Sequence, residues 1–440
     1  MTDVSPAAHA SPRGDRAGEL RASTLSALAV RPRGGPAWLE ARRAEAAGRF
    51  EASGFPSSSD EAFRFTSLAR VLRVPFAPLP GRLVASPFDA LPARRVRIEN
   101  GRVESDAFGS VEGIEVRRMK DVLAREPALL EPYLGRLLTS DNGFVAQNTA
   151  LFQDGVVIVA RARQRSGPIH LAYSGYGETP ALATPRVLVV AEAESELTLL
   201  ESHASAGEYL ESSATEVFLG IGAAVEHVRV ELGTETAGAL ATVAVRQDRD
   251  SRYRSRVLSF GGKLTRVDLR VGLEGKGAEC SLEGLFLANG GSLLDHHTVV
   301  VHASPHCTSR QRYKGIGDGD GVGVFDGTVI VRSGASGTEA HQESRNLLLS
   351  NDAVVHAKPH LEIDTDDVKC SHGATVGRLD PAQLFYLRSR GIDGEVARAL
   401  LTYAFAREVV GTVSRADVRA VLEELVAARL PSGAMVRELA

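Results

Sequence analysis

The 440 residues predict a mainly β protein, a parallel β-helix core flanked by N-terminal and C-terminal helical domains, and three observations carry that reading. Short aliphatic runs separated by Gly, Ser, Asp or Asn recur through the middle of the chain. No amphipathic helix lies between them. Aromatic residues make up only 5% of the chain while glycine numbers 43, as expected of many tight turns joining small, stacked aliphatic strands.

Taken in order, residues 1–35 are rich in Ala, Ser, Pro, Gly and Arg without a sustained period and close on RPRGGP, the signature of a flexible N-terminal arm. A mostly helical domain is expected over 36–140. Its PAWLEARRAEAAGRFEASG stretch starts on Pro36, keeps apolar residues near helical spacing and meets Gly54 after the last of them. GFPSSSDEAFRFTSLARVLRV then reads as a turn and a second short helical segment, and DVLAREPALLEPYLGRLLTS (121–140) carries another apolar stripe. Around Phe144 the pattern changes to strands. GVVIVA (155–160), RVLVVA (186–191), VEHVRVEL (225–232), TRVDLRVGLEG (265–275) and TVVVHA (298–303) are each strand length, with alternation strongest in VEHVRVEL and TRVDLRV. A doubly wound parallel sheet needs crossover helices that this stretch lacks, so 141–378 is either a solenoid of short strands or an antiparallel sandwich. Small aliphatics and scarce aromatics favour the solenoid, its coils burying Val, Ile and Leu inward.

A C-terminal helical domain is expected over 379–440. Asp380, Pro381 and Gln383 form a helix-start signature before PAQLFYLRSR, which stops at Gly391. A second helix starts at Asp393 and runs to Gly411, and Ser414 with Asp417 is expected to cap a third.

Composition excludes several classes of function. With 51 basic against 55 acidic residues the net charge is −4, which leaves no broad positive field for nucleic acid. No apolar run approaches the ~20 residues that cross a bilayer, and the N-terminus lacks the apolar stretch of a secretory signal. A cytoplasmic protein with neither a membrane nor a nucleic-acid partner is expected. Three cysteines without a CxxC pair make no disulfide framework. GGKLT (261–265) ends like a phosphate loop, but Val257 stands where the leading glycine is required, so no ATP is expected to bind there. No GxSxG or HExxH occurs.

Residues 280–372 hold all three cysteines and eight of the twelve histidines, a concentration of soft and borderline metal ligands. Cys370-Ser371-His372 is the sharpest arrangement: in an extended segment the thiol and imidazole share a face while Ser371 points away. Both side chains are able to bind iron. Two donors are fewer than a closed tetrahedral site needs. His302, His306 and Cys307, or the Asp295-His296-His297 run, offer other partial sets, and polar residues lining turns and strands read equally well there. GIGDGDGVG (315–323) places Asp318 and Asp320 as in a calcium loop but has Val329 where the closing glutamate belongs, so it reads as a flexible loop.

The stretch QESRNLLLSNDAVVHAKPHLEIDTDDVKCSHGATVGRLDPAQLFYLRSRGI (342–392) resembles the C-terminal signature of the SufB/SufD family of iron–sulfur cluster assembly scaffolds. CTSRQRYKGIGDGDGVGVFDGTVIV (307–331), the TALFQDGVVIV stretch (149–159) and GFPSSSDEAFRFTSL (54–68) support it. Within the family, CSHGAT with Gly373 and a serine at Ser350 are similar to the SufD branch. The resemblance implies a right-handed parallel β-helix between two helical domains, a non-enzymatic subunit, and a transient iron–sulfur cluster shared with a SufB partner. Carried over residue by residue, it implies His372 as a ligand at the SufB-facing surface with Cys370 second, and a SufC ATPase docked on Leu384, Phe385, Tyr386 and Arg390. A self-pairing scaffold, homodimeric when alone, is an alternative. A β-helix enzyme acting on polysaccharide is another, against which a single tryptophan and eight tyrosines argue.

Overall fold

Two helices open the chain in a computed structural model that describes residues 16–31, 34–68, 82–104, 107–111, 113–138 and 142–439. α1 (Arg16–Ala29) lies within the expected flexible arm but is held, because Leu28 is buried with Ala46, Phe50 and Ala150. Residues 1–15 of that arm lie outside the described residues. α2 (Ala37–Ser53) follows Pro36 and ends where Gly54, at φ +68°, donates its N–H to the Phe50 carbonyl at 2.8 Å. The expected helical segment after it is reduced to a 3-10 turn at Glu61–Phe63, and its continuation over 69–81 lies outside the described residues. The 36–140 stretch also carries strands: β1 (Arg94–Glu99), β2 (Arg102–Val103), β3 (Gly109–Val111) and β4 (Ile114–Arg118). Val96, Ile98, Ile114 and Val116 are buried in the solenoid interior, so this part begins the β core. The apolar stripe of 121–140 is a short helix, α3 (Met119–Arg125), and turns that bury Leu130 and Leu134. α4 (Gly143–Leu151) leads into the coils.

The core runs through β5 (Gly155–Ala160), β6 (Ile169–Ala183), β7 (Arg186–Ala191), β8 (Glu196–Leu219), β9 (Ala224–Gly233), β10 (Gly238–Gln247), β11 (Arg252–Ser259) and β12 (Leu264–Leu273). It continues through β13 (Glu279–Ala288), β14 (Leu293–His302), β15 (Thr308–Gly317), β16 (Val322–Val331), β17 (Thr338–Leu348), β18 (Val354–Ile363) and β19 (Val368–Gly377). Every pairing between strands of this series is parallel, and from β9 onward each strand pairs with the one two places along, which excludes the sandwich. The result is a parallel β-helix of two sheets. One sheet runs β5, β7, the second half of β8, then the even strands to β18. The other runs β6, the first half of β8, then the odd strands to β19.

Helical segments cover the outsides. On the first sheet, Arg266 donates to the Ala62 carbonyl at 2.7 Å and lies over the Phe63 ring, while Glu216 accepts from the backbone of Gly135 and Leu137. On the second, α6 (Gly394–Val410) and α7 (Ala416–Ala427) bury Leu258, Leu285 and Ile316 under Tyr403, Ala406 and Leu422. α5 (Pro381–Ser389) precedes them, and α8 (Gly433–Leu439), a helix the sequence reading did not anticipate, follows. Asp380 and Asp393 cap α5 and α6, each accepting a backbone N–H at 2.8 Å. Ser414 does not cap α7 as expected. It donates to Glu226 of β9, tying the helical domain to the sheet, and Arg415 takes the cap position.

One strand reverses the expected pattern of aliphatics inward. In β9, Val228 and Val230 face the C-terminal helices, while His227, Arg229 and Glu231 face the interior. There Arg229 pairs with Glu201 at 2.6 Å and Glu231 at 2.7 Å, and His203 lies 2.8 Å from Glu211 and stacks on Tyr173. An ionic network this deeply buried is tolerated because each charge meets an opposite one.

Candidate functional site

The last coil is where the predicted donors meet. β19 pairs in register with β17, setting Cys370 beside Ala340, Ser371 beside His341 and His372 beside Gln342. Ala340 and Gln342 are buried inside the coil and His341 is exposed outside, so Cys370 and His372 share the inward face and Ser371 the outward one. The expectation that thiol and imidazole project together holds in the geometry. Among the described residues no further coil stacks on this one, and β18 and β19 pair on one side only. An inward residue that would be core elsewhere is therefore reachable here: His372 is exposed. Cys370 is half-buried against Val329, Val331 and Ala335.

Electrostatics separates the two. Burial pushes the Cys370 thiol above its ordinary value, against a smaller opposite effect of the Ala340 backbone. Lys369 does not lower it through contact, since its ammonium is turned to Glu339 at 3.1 Å. Cys370 is therefore a thiol at neutral pH, and a thiol must give up its proton before it can ligate a metal. On the outer face Ser371 lies 2.8 Å from His341 Nδ1, and the two line a shallow groove of about 680 Å³ with Arg310, Arg312, Glu283 and His372.

The other predicted donors do not assemble. His296 points inward to Ser259 at 2.8 Å, whereas Asp295 and His297 point outward, where Asp295 pairs with Arg266 at 2.9 Å. His302 bonds Ser309 at 2.8 Å inside the coil, and the Cys307 thiol donates to the Gly275 carbonyl at 3.3 Å. Neighbours in sequence thus alternate between faces. Among the described residues no three histidine, cysteine or carboxylate side chains converge as a metal site. Asp318 and Asp320 belong to a tight turn between β15 and β16, in which Asp318 accepts from the Gly319 N–H at 2.9 Å.

A second surface lies on α5. No residue of this helix is buried, and Phe385 and Tyr386 are 75% and 56% exposed, so the aromatic pair does not pack on the end of the solenoid. Arg390 lies over the Tyr386 ring at 5.3 Å. Leu384 is half-buried.

Sequence reasoning missed Gln342, buried beneath His372 with neither amide atom hydrogen-bonded. Only its odd-even phase with Ala340 and Ser344 marked it as inward. It likewise missed the interior network around Arg229, because Glu, His and Arg in an alternating strand read as a solvent face.

These features define a class: a parallel β-helix whose final coil sets a cysteine and a histidine on one face of an edge that no other described strand pairs with. Residues 174–405 match the model of the SufBD core domain of the SUF system for iron–sulfur cluster assembly, and the chain belongs to that family. It is 33% identical over 321 residues to an iron–sulfur cluster assembly SufBD family protein of Synechocystis, covering 70% of this chain and 71% of that one. To the corresponding SufBD family protein of Mycobacterium leprae it is 32% identical over 292 residues, 64% of this chain and 73% of the other. To the iron–sulfur cluster assembly protein SufD of Escherichia coli it is 27% identical over 393 residues, 87% of this chain and 91% of that protein. Among the described residues no helix is long and apolar enough to cross a membrane.

Proposed function

We propose that the chain is the SufD-type subunit of a cytoplasmic iron–sulfur cluster assembly scaffold, without enzymatic activity of its own. It supplies His372, with Cys370 second, to a cluster that forms transiently against a SufB-type partner. The observation that carries the reading is the pair of residues side by side on the inward face of a terminal coil that no other strand among the described residues pairs with. A complete ligand set would hold the product, whereas two donors share it and release it. The cluster is cargo, made from iron and sulfide delivered by others. Similarity to the Escherichia coli SufD along most of both chains, together with Gly373 and Ser350, favours the SufD-type role.

A SufC-type ATPase docks on Leu384, Phe385, Tyr386 and Arg390, which α5 presents free of the solenoid. Its movement reaches the coils through α6, where Lys314 of β15 pairs with Glu408 at 2.6 Å and Arg398 donates to the Leu349 carbonyl at 3.1 Å.

The test is anaerobic copurification of the full chain with SufB- and SufC-type partners, followed by iron and sulfide analysis. His372→Ala should leave fold and partner binding intact and lower the iron content, and Cys370→Ser should lower it less. Iron loading equal to wild type in His372→Ala removes His372 from the site. A second reading, in which two copies pair, is favoured by the same open edges, where Val354, Ile363 and Val376 are 42%, 42% and 47% exposed. A stable, cluster-holding homodimer formed with the ATPase alone would establish it.

A further inference from the structure

Gln342 is 3% exposed, and neither its amide nitrogen nor its carbonyl oxygen has a hydrogen-bond partner. A buried amide left unpaired at both ends carries a desolvation penalty with no return inside the chain. Nor is the space around it slack: a Cβ added to Gly327 would stand 2.0 Å from Gln342 Nε2, so that glycine exists in a place the amide fills. The coil thus holds this side chain in position while giving it nothing to bond. Its register partner on the open side is His372, whose side chain leaves the same inward face one strand spacing away, about 4.8 Å.

A histidine that binds a metal through one ring nitrogen almost always donates the N–H of the other to a fixed acceptor, which sets the tautomer and the ring's orientation. Among the described residues the His372 ring makes no hydrogen bond, and on the outer face its neighbour His341 is engaged with Ser371. We propose that Gln342 is the positioning residue of His372: its carbonyl oxygen accepts the inward ring N–H, directly or through one water, and so leaves the outward nitrogen unprotonated and aimed at the uncovered face. The amide can turn either end to the ring, but only the carbonyl end keeps the outward nitrogen available. This inference rests on the reading of His372 as a ligand, yet it concerns the imidazole before any metal arrives.

The experiment therefore uses the metal-free full chain with isotope-labelled histidine. The His372 signal, assigned by its loss in His372→Asn, reports the ring tautomer through its carbon and nitrogen shifts at a pH where the ring is neutral. Wild type should show one dominant tautomer. Gln342→Met, similar in size but without an acceptor, should shift the tautomer ratio about fivefold toward the other form, the factor that one net hydrogen bond carries. Gln342→Glu, which retains an acceptor, should restore it. Should Gln342→Met fail to fold, Gln342→Asn, one methylene too short, takes its place with the same expectation. An unchanged ratio in a folded Met or Asn variant overturns the proposal, as does a Glu variant that behaves like Met, since that pattern belongs to packing alone. Normal iron loading by His372→Ala would instead sink the ligand assignment while leaving the tautomer result standing.

Discussion

His296 and His302 are sealed inside the solenoid and His170 is buried on its outer face beside Ser202, and burial holds each imidazole down at about 4. His203 is the opposite case: burial and Arg229 push it down, but the carboxylates of Glu211, Glu231 and Glu201 outweigh them and hold it up at about 9. The signs differ in their effect on stability. For the first three the unfolded chain takes up protons first, so stability falls as pH drops from about 6.5 toward 4, by at most about 1.4 kcal/mol per pH unit for each group. For His203 the folded form keeps its proton longer, so its contribution is whole below about 6.5 and fades as pH rises through about 9. The melting temperature should therefore peak near pH 6.5 (about the free-histidine value) and decline on both sides, with the alkaline decline shrinking in His203→Gln. A flat profile between pH 4 and 6.5 would contradict the burial of these imidazoles. At this scale the sequence was half legible. Cys370 and His372 stand out because two residues apart in a strand means one face, whereas His296 and His297 look equivalent on paper and sit on opposite sides of a sheet.

Strands and turns were easier to read than the direction their side chains take. Glycine-separated aliphatic runs predicted the coils because each run is one strand and each interruption one corner. TRVDLRV follows the simple rule, with Val267, Leu269 and Val271 buried and Arg270 outside. VEHVRVEL does not, because a helical layer covers its outer face and claims the valines there. Hydrophobic alternation identifies two faces, and only the rest of the fold decides which is the inside. Glycine inside a strand has its own use. A Cβ on Gly284 would meet the Tyr313 ring at 2.2 Å, whereas one on Gly373 meets nothing within 4 Å. Gly284→Ala should lower unfolding free energy by about 1–3 kcal/mol in denaturant titration, the usual range for overpacking. Gly373→Ala should be neutral. Asp393→Ala should cost about 1 kcal/mol through the lost cap of α6.

Across the described residues, the two outer faces of the solenoid are occupied by helical segments, and no further strand pairs with its last coil. Stacked coils contact only their neighbours, so stability propagates along the stack and ends where the stack ends. Val376→Lys, at a position 47% exposed, should leave the melting temperature of the isolated chain within about a degree or two, as surface changes do, while abolishing association with a SufB-type partner in light scattering. Retained association in that variant would move the contact elsewhere. A parallel strand with bare backbone donors and acceptors joins almost any extended segment that meets it. A copy whose rim stays bare is consequently the one at risk of sticking to its own kind, so the architecture places a premium on keeping that rim occupied.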